Sequence, residues 1–127
     1  MLTFGGRAAD AIPRLDAVLR LDPRFPFLSQ TLADIGLARL LIGDFAEAVR
    51  MCERSLAEHR ENVRAWQRLA SAKGHLGRHD EAAAALGEVY RLFPEFGSAY
   101  VAATYPFRNP ADAAMFTEGL CRAGWTG

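Results

Sequence analysis

Trp66 to Pro94 reads WQRLASAKGHLGRHDEAAAALGEVYRLFP. Apolar Trp66, Leu69, Ala70 and Leu76 recur at helical intervals as far as Gly77. Ala82, Leu86, Val89 and Tyr90 do the same as far as Phe93-Pro94. A glycine free to take positive φ ends the first run, and a proline, which has no backbone N–H to donate, ends the second. The stretch therefore predicts two helices joined by a tight turn, an antiparallel hairpin.

The same arrangement occurs 34 residues earlier. Gly43 and Gly77, Ala48 and Ala82, Ile35 and Leu69, and Gly36 and Ala70 are each separated by 34 positions, and Leu32, Trp66 and Tyr100 extend that spacing over three layers. Gly36, Ala70, Ala48 and Ala82 suit close helix crossings, because a larger side chain there overpacks. Trp66 and Leu69 are expected to fill the space between the helices of one hairpin. Further helical patterns run through Ala8–Leu19, through about Glu95–Thr104, and from Asn109-Pro110 to Gly124. Asn is a good N-cap and proline fits the first helical position. Pro13 is expected to kink the first of these helices or delay its start. No segment alternates as a strand does.

The pattern W-x2-L-G-x2-Y, then A-x3-F, then P on a 34-residue period is that of the tetratricopeptide repeat, and this sequence resembles it. Lys73 and Arg39 stand at the tyrosine position, and Arg60 stands where the first copy would carry its proline. The resemblance implies an all-α fold: a short right-handed superhelix of stacked hairpins with a C-terminal capping helix. One domain over residues 1–127 is expected, with a partial repeat at 6–26, full repeats at 29–62 and 63–96, and an atypical terminal repeat at 97–127. The tail is similar to a narrower group, the C-terminal repeat regions of bacterial class III adenylate/guanylate cyclases. The residues that carry this are Pro106-Phe107-Arg108-Asn109-Pro110, Gly119-Leu120, Ala123-Gly124 and the Leu21–Pro26 insertion. Related tails also follow winged-helix transcription regulators. The resemblance implies a non-enzymatic protein–protein interaction module, a regulatory or dimerising tail of such a protein; the alternative is a self-standing scaffold that binds a peptide in its concave groove.

Composition fits that picture. At 127 residues the chain is of single-domain size. Fifteen basic residues offset fifteen acidic ones, so nothing draws it to nucleic acid or an anionic membrane. The most apolar window, Leu32–Gly43, contains Asp34 and Arg39 and is too short to span a bilayer. Cys52 and Cys121 lie in no paired spacing, and the N-terminus carries no signal-peptide pattern; both point to the cytoplasm. A half-repeat at the start leaves an apolar helix face that favours a homodimer or contact with an upstream domain.

No catalytic constellation is visible, and no cofactor or metal is expected. His75 and His79 have helical metal spacing, but Gly77 lies between them at the turn. Asp44, Glu47, Asp80 and Glu81 fall at helix starts, where the dipole favours acids. Peptide-binding repeats use the inner face of each first helix. The resemblance places Gln30, Leu37 and Leu41 on that face in one repeat, and Arg64, Gln67, Arg68, Ser71 and His75 in the next. Arg64 and Arg68, one turn apart, could hold a partner's carboxylate; the competing reading is two solvated charges on an amphipathic helix. Ala33 and Leu37 stand where the family's carboxylate clamp needs polar residues, so no such clamp is expected. Leu37, Leu40 and Leu41 form either an apolar docking strip or a surface covered by capping helices.

Overall fold

The computed structural model describes residues 28–105 and 107–127. The helix expected at 8–19, the partial repeat at 6–26 and the Leu21–Pro26 insertion lie outside the described residues. Leu28–Leu41 forms α1, Phe45–Glu58 α2, Val63–His75 α3, His79–Leu92 α4, Ser98–Thr104 α5 and Pro110–Arg122 α6. Among the described residues there is no strand, and the fold is an all-α helical repeat.

Three helix ends share one chemistry. Gly43, Gly77 and Gly124 have φ of 87°, 76° and 110°. At the first, Asp44 N–H reaches Arg39 C=O at 2.8 Å and Gly43 N–H reaches Leu40 C=O at 3.0 Å. Arg78 to Lys73 and Gly77 to Gly74 repeat that pair at 3.0 and 3.1 Å, and Trp125 to Leu120 and Gly124 to Cys121 repeat it at 2.9 and 3.0 Å. This is the Schellman arrangement, in which a left-handed glycine lets the chain turn back onto orphan carbonyls. The start of α6 is equally local: Asn109 Oδ1 accepts from Ala111 N–H at 2.9 Å, with Pro110 in the first helical position.

The helices pair as the period requires. α1 packs on α2, α2 on α3, and α3 on α4. A methyl added to Gly36 would come within 2.7 Å of Cys52 Sγ, which is why the α1–α2 crossing needs a residue without a side chain. Ala48, Ala70 and Ala82 are all fully buried, as crossing positions should be. Asn62, before α3, ties the layers together: its Nδ2 donates to Ser29 Oγ at 3.0 Å, and Ser55 Oγ donates to Ser29 C=O at 2.6 Å.

The stack departs from its expected course after α4. The helix expected from Glu95 starts only at Ser98. It makes no close backbone contact with another described helix and is held through Tyr100, whose ring lies 4.6 Å from Phe93 and 5.6 Å from Phe96. α6 does cap the molecule, but across its inner side: it packs on α3, and also touches α1 and α4. Trp66 also differs from expectation. It is half-buried and lines a cleft of about 380 Å³ between α2 and α3 with Leu56, Arg60 and Lys73, so it works between hairpins.

Candidate functional site

The inner face is built by α1 and α3, whose equivalent residues lie side by side. Asp34 and Arg68 occupy the same position in successive repeats, and Arg68 Nη1 donates to Asp34 Oδ1 at 2.9 Å. The carboxylate that Arg68 grips therefore belongs to this chain. Gln30 Nε2 donates to the same Oδ1 at 2.9 Å. On its other side Arg68 Nε donates to the Tyr105 hydroxyl at 3.3 Å, which donates to Gln67 Oε1 at 2.6 Å. Gln67 Nε2 continues to Tyr100 Oη at 3.3 Å.

Arg68 and Gln67 are both 0 % exposed. Burial works against the charge on Arg68, but Tyr105 and Asp34 more than restore it and hold its pKa above the usual arginine value. Burial also raises the pKa of the Tyr105 hydroxyl, while the neighbouring guanidinium pulls the other way. Arg68 Nη2 is buried and has no hydrogen-bond partner among the described residues. An unmatched donor of this kind costs about 1–3 kcal/mol.

The rest of the inner face is covered by α6. Ser71 Oγ donates to Phe116 C=O at 2.8 Å. His75 stacks on Phe45 at 4.3 Å, and its Nε2 bonds Met115 C=O at 2.6 Å. A carbonyl only accepts, so the proton is on Nε2. His79, on the next helix, uses Nδ1 on Arg122 C=O at 3.2 Å. The two histidines are thus on separate helices, each committed to the backbone of α6. Phe116, Leu120, Leu37, Leu40 and Leu41 share one hydrophobic cluster. The leucine strip is covered, as one of the two readings of it had it.

Of the residues expected on an open inner face, Leu37, Leu41, Gln67, Arg68 and Ser71 are buried; Gln30, Arg64 and His75 are half-buried at its edges. Gln30, Gln67 and Arg68 join one network through Asp34 and Tyr105, whereas Ser71 and His75 lie against the chain's own C-terminal helix. Asp34, Tyr105, Phe116 and Gly119 complete the site, and the sequence assigned none of them to it; Gly119 stood out only as part of the tail motif. Asp34 was legible in principle, being an acid placed 34 residues before Arg68.

Basic residues at the tyrosine position have their own roles. Arg39 pairs with Asp44 at 3.4 Å, and Lys73 pairs with Glu81 at 3.2 Å and Glu53 at 3.9 Å. Arg39 thus ties α1 to the turn before α2, and Lys73 ties α3 to α4 and α2, where the repeat ordinarily places an aromatic ring. Among the described residues no group of three metal-ligating side chains forms, and no helix is long and apolar enough to cross a membrane.

A family model described as tetratricopeptide repeat matches residues 39–104, just over half the chain. The chain belongs to the tetratricopeptide repeat family. Proteins of this family are generally non-catalytic and serve protein–protein interaction. The matched region ends after α5, so Tyr105 and α6 lie outside it. No curated protein and no solved structure matches the chain.

Proposed function

We propose that this repeat protein is a docking module whose inner α1–α3 face receives a helix of another protein. The observation that carries this reading is that the face already holds a helix. Ser71 and His75 recognise that helix through backbone carbonyls, which any helix can offer. Gln30, Leu37, Leu41, Arg64, Gln67, Arg68, Ser71 and His75 are the docking residues in this proposal.

Its setting is the regulatory or dimerising C-terminal region of a cyclase-like or winged-helix regulator, acting in the cytoplasm. The tail motif supports this, as do two cysteines that are both free, one buried and one exposed. The alternative is a self-standing scaffold holding a peptide in the same groove, with Arg64 at its rim.

Light scattering on the purified chain, alone and mixed with any catalytic or winged-helix domain found encoded next to it, tests the proposal. A complex of the summed mass that is lost on Ser71→Ala with His75→Ala is expected. No complex with any neighbouring domain would refute the regulator setting. A complex indifferent to both substitutions would refute the face.

A further inference from the structure

We infer that α6 is a built-in, displaceable occupant of the groove, and that the partner the groove fits is a helix carrying aromatic-x-x-Gly-Leu. This rests on the reading of the inner face as a docking surface and names what docks there. The pattern is that of Phe116, Gly119 and Leu120, the three residues α6 buries.

Three observations converge on this pattern. The first is steric. A methyl on Gly74 would strike the carbonyl oxygen of Gly119, and one on Gly119 would strike Ser71 and lie 2.6 Å from His75 Cδ2. The crossing admits two bare backbones, so the incoming helix must present glycine at the contact. Phe116 and Leu120, three residues before and one after, then enter the cluster on either side. The second is polar: Ser71 and His75 address main-chain carbonyls on the same turns of α6, which fixes the helix's register without reading its other side chains.

The third is that α6 is fitted to α3 backbone to backbone, whereas the segment before it meets it through side chains, the Tyr105 and Phe107 rings lying 4.6 and 6.0 Å from Phe116. α5 has no close backbone contact with another described helix, and an apolar gap of about 380 Å³ separates it from α6, lined in part by Val101, Tyr105, Thr117 and Trp125. The family match stops before this segment, and α1 to α4 pair with one another without it. A helix tethered this closely competes at an effective concentration of roughly millimolar. An outside helix must exceed that to bind, so the tether sets the threshold.

The test uses a fluorescent peptide of residues 107–127, titrated into three full-length chains: wild type, Gly119→Val, and Gly119→Val with Gly74→Val. The nearest neighbours of a Cβ at 119 are Ser71 and His75 of α3, and those of a Cβ at 74 are Gly119 and Ala123 at the end of α6, so each valine is aimed at the α3–α6 crossing. The Gly119→Val chain should bind the peptide about 100-fold more tightly than wild type, whose own helix competes. The double variant should not bind. Equal affinity for wild type and Gly119→Val, or no binding to a folded Gly119→Val chain, overturns the inference. So does global loss of helical circular dichroism in Gly119→Val, since α6 would then be part of the folding unit. Concentration-dependent wild-type dimers that exchange α6 would also overturn it, by making the occupant a second copy. If the peptide results hold while no neighbouring domain binds, only the regulator setting falls.

Discussion

Gly74 and Gly119 mark one close crossing of α3 and α6: a Cβ on Gly74 would strike the Gly119 carbonyl, and one on Gly119 would strike Ser71 and His75, the α3 residues on either side of Gly74. Both are in helices, where glycine is otherwise unfavourable by roughly 0.5–1 kcal/mol relative to alanine. Gly74→Ala should therefore reverse the usual rule and destabilise the protein by about 1–3 kcal/mol through overpacking against Gly119. Gly87, in α4, is the matched control: a methyl there meets nothing within 4 Å. Gly87→Ala should stabilise by about 0.5–1 kcal/mol. Thermal melts of the two variants should shift in opposite directions, and a shared direction would deny the close crossing.

Asp34 and Arg68 provide a second test. The guanidinium is wholly enclosed, and the Asp34 side chain is 15 % exposed. Asp34→Ala leaves a buried cation without its counter-charge and should cost about 3–5 kcal/mol. Arg68→Met should cost less, because it removes the charge itself and the unmatched Nη2 with it. Urea denaturation of the two single variants and of the double variant closes a cycle. The double variant should be more stable than the sum of the singles predicts by well over about 0.5 kcal/mol, the limit for independent sites.

How far the sequence carried the fold depended on whether the deciding interaction was local. Gly43, Gly77 and Gly124 mark helix ends because the left-handed turn is a property of a few consecutive residues. The pairing of α1 to α4 follows from the 34-residue spacing of crossing residues, which a sequence displays directly. The position of α6 follows from Gly74 and Gly119, 45 residues apart in two different repeats, where neither segment alone shows which surface the other covers. Its amphipathic pattern indicates that one side is buried, not against what. The inner-face residues are placed there by repeat position, but Arg68 and Gln67 are engaged by Tyr105 and Ser71 by Phe116, which lie in the atypical terminal segment.

Trp66 was expected to be core, and its half-burial lowers the effect of removing it. Its indole Nε1 donates to Arg60 C=O at 2.9 Å, and the Arg60 guanidinium lies 5.9 Å above the ring at the edge of the α2–α3 cleft. Trp66→Ala should cost about 2 kcal/mol, below the 3–5 kcal/mol of a fully enclosed tryptophan. The variant should stay folded at room temperature with a lowered urea midpoint. Complete unfolding would mean that the cleft between hairpins carries more of the stability than its exposure indicates.

Cys52 makes stability depend on alkaline pH. Burial pushes its thiol up to about 12, with Arg68 opposing and Glu53 adding to the rise. The unfolded chain loses this proton near the ordinary cysteine value of about 8.5, whereas the folded chain keeps it. Between these two values the unfolded state binds fewer protons, so unfolding becomes easier as pH rises, by about 1.4 kcal/mol per unit. The contribution is intact below about pH 8.5 and is lost progressively toward 12. Urea midpoints should thus fall between pH 8.5 and 10.5 in wild type. Cys52→Ala removes the titrating group and should flatten that slope, although it lowers stability at pH 7. The same burial predicts that an aromatic disulfide reagent at pH 8 labels one thiol of the native protein, the exposed Cys121, and two in denaturant. Rapid labelling of both thiols in the native state would show that the α1–α2 crossing at Gly36 opens freely.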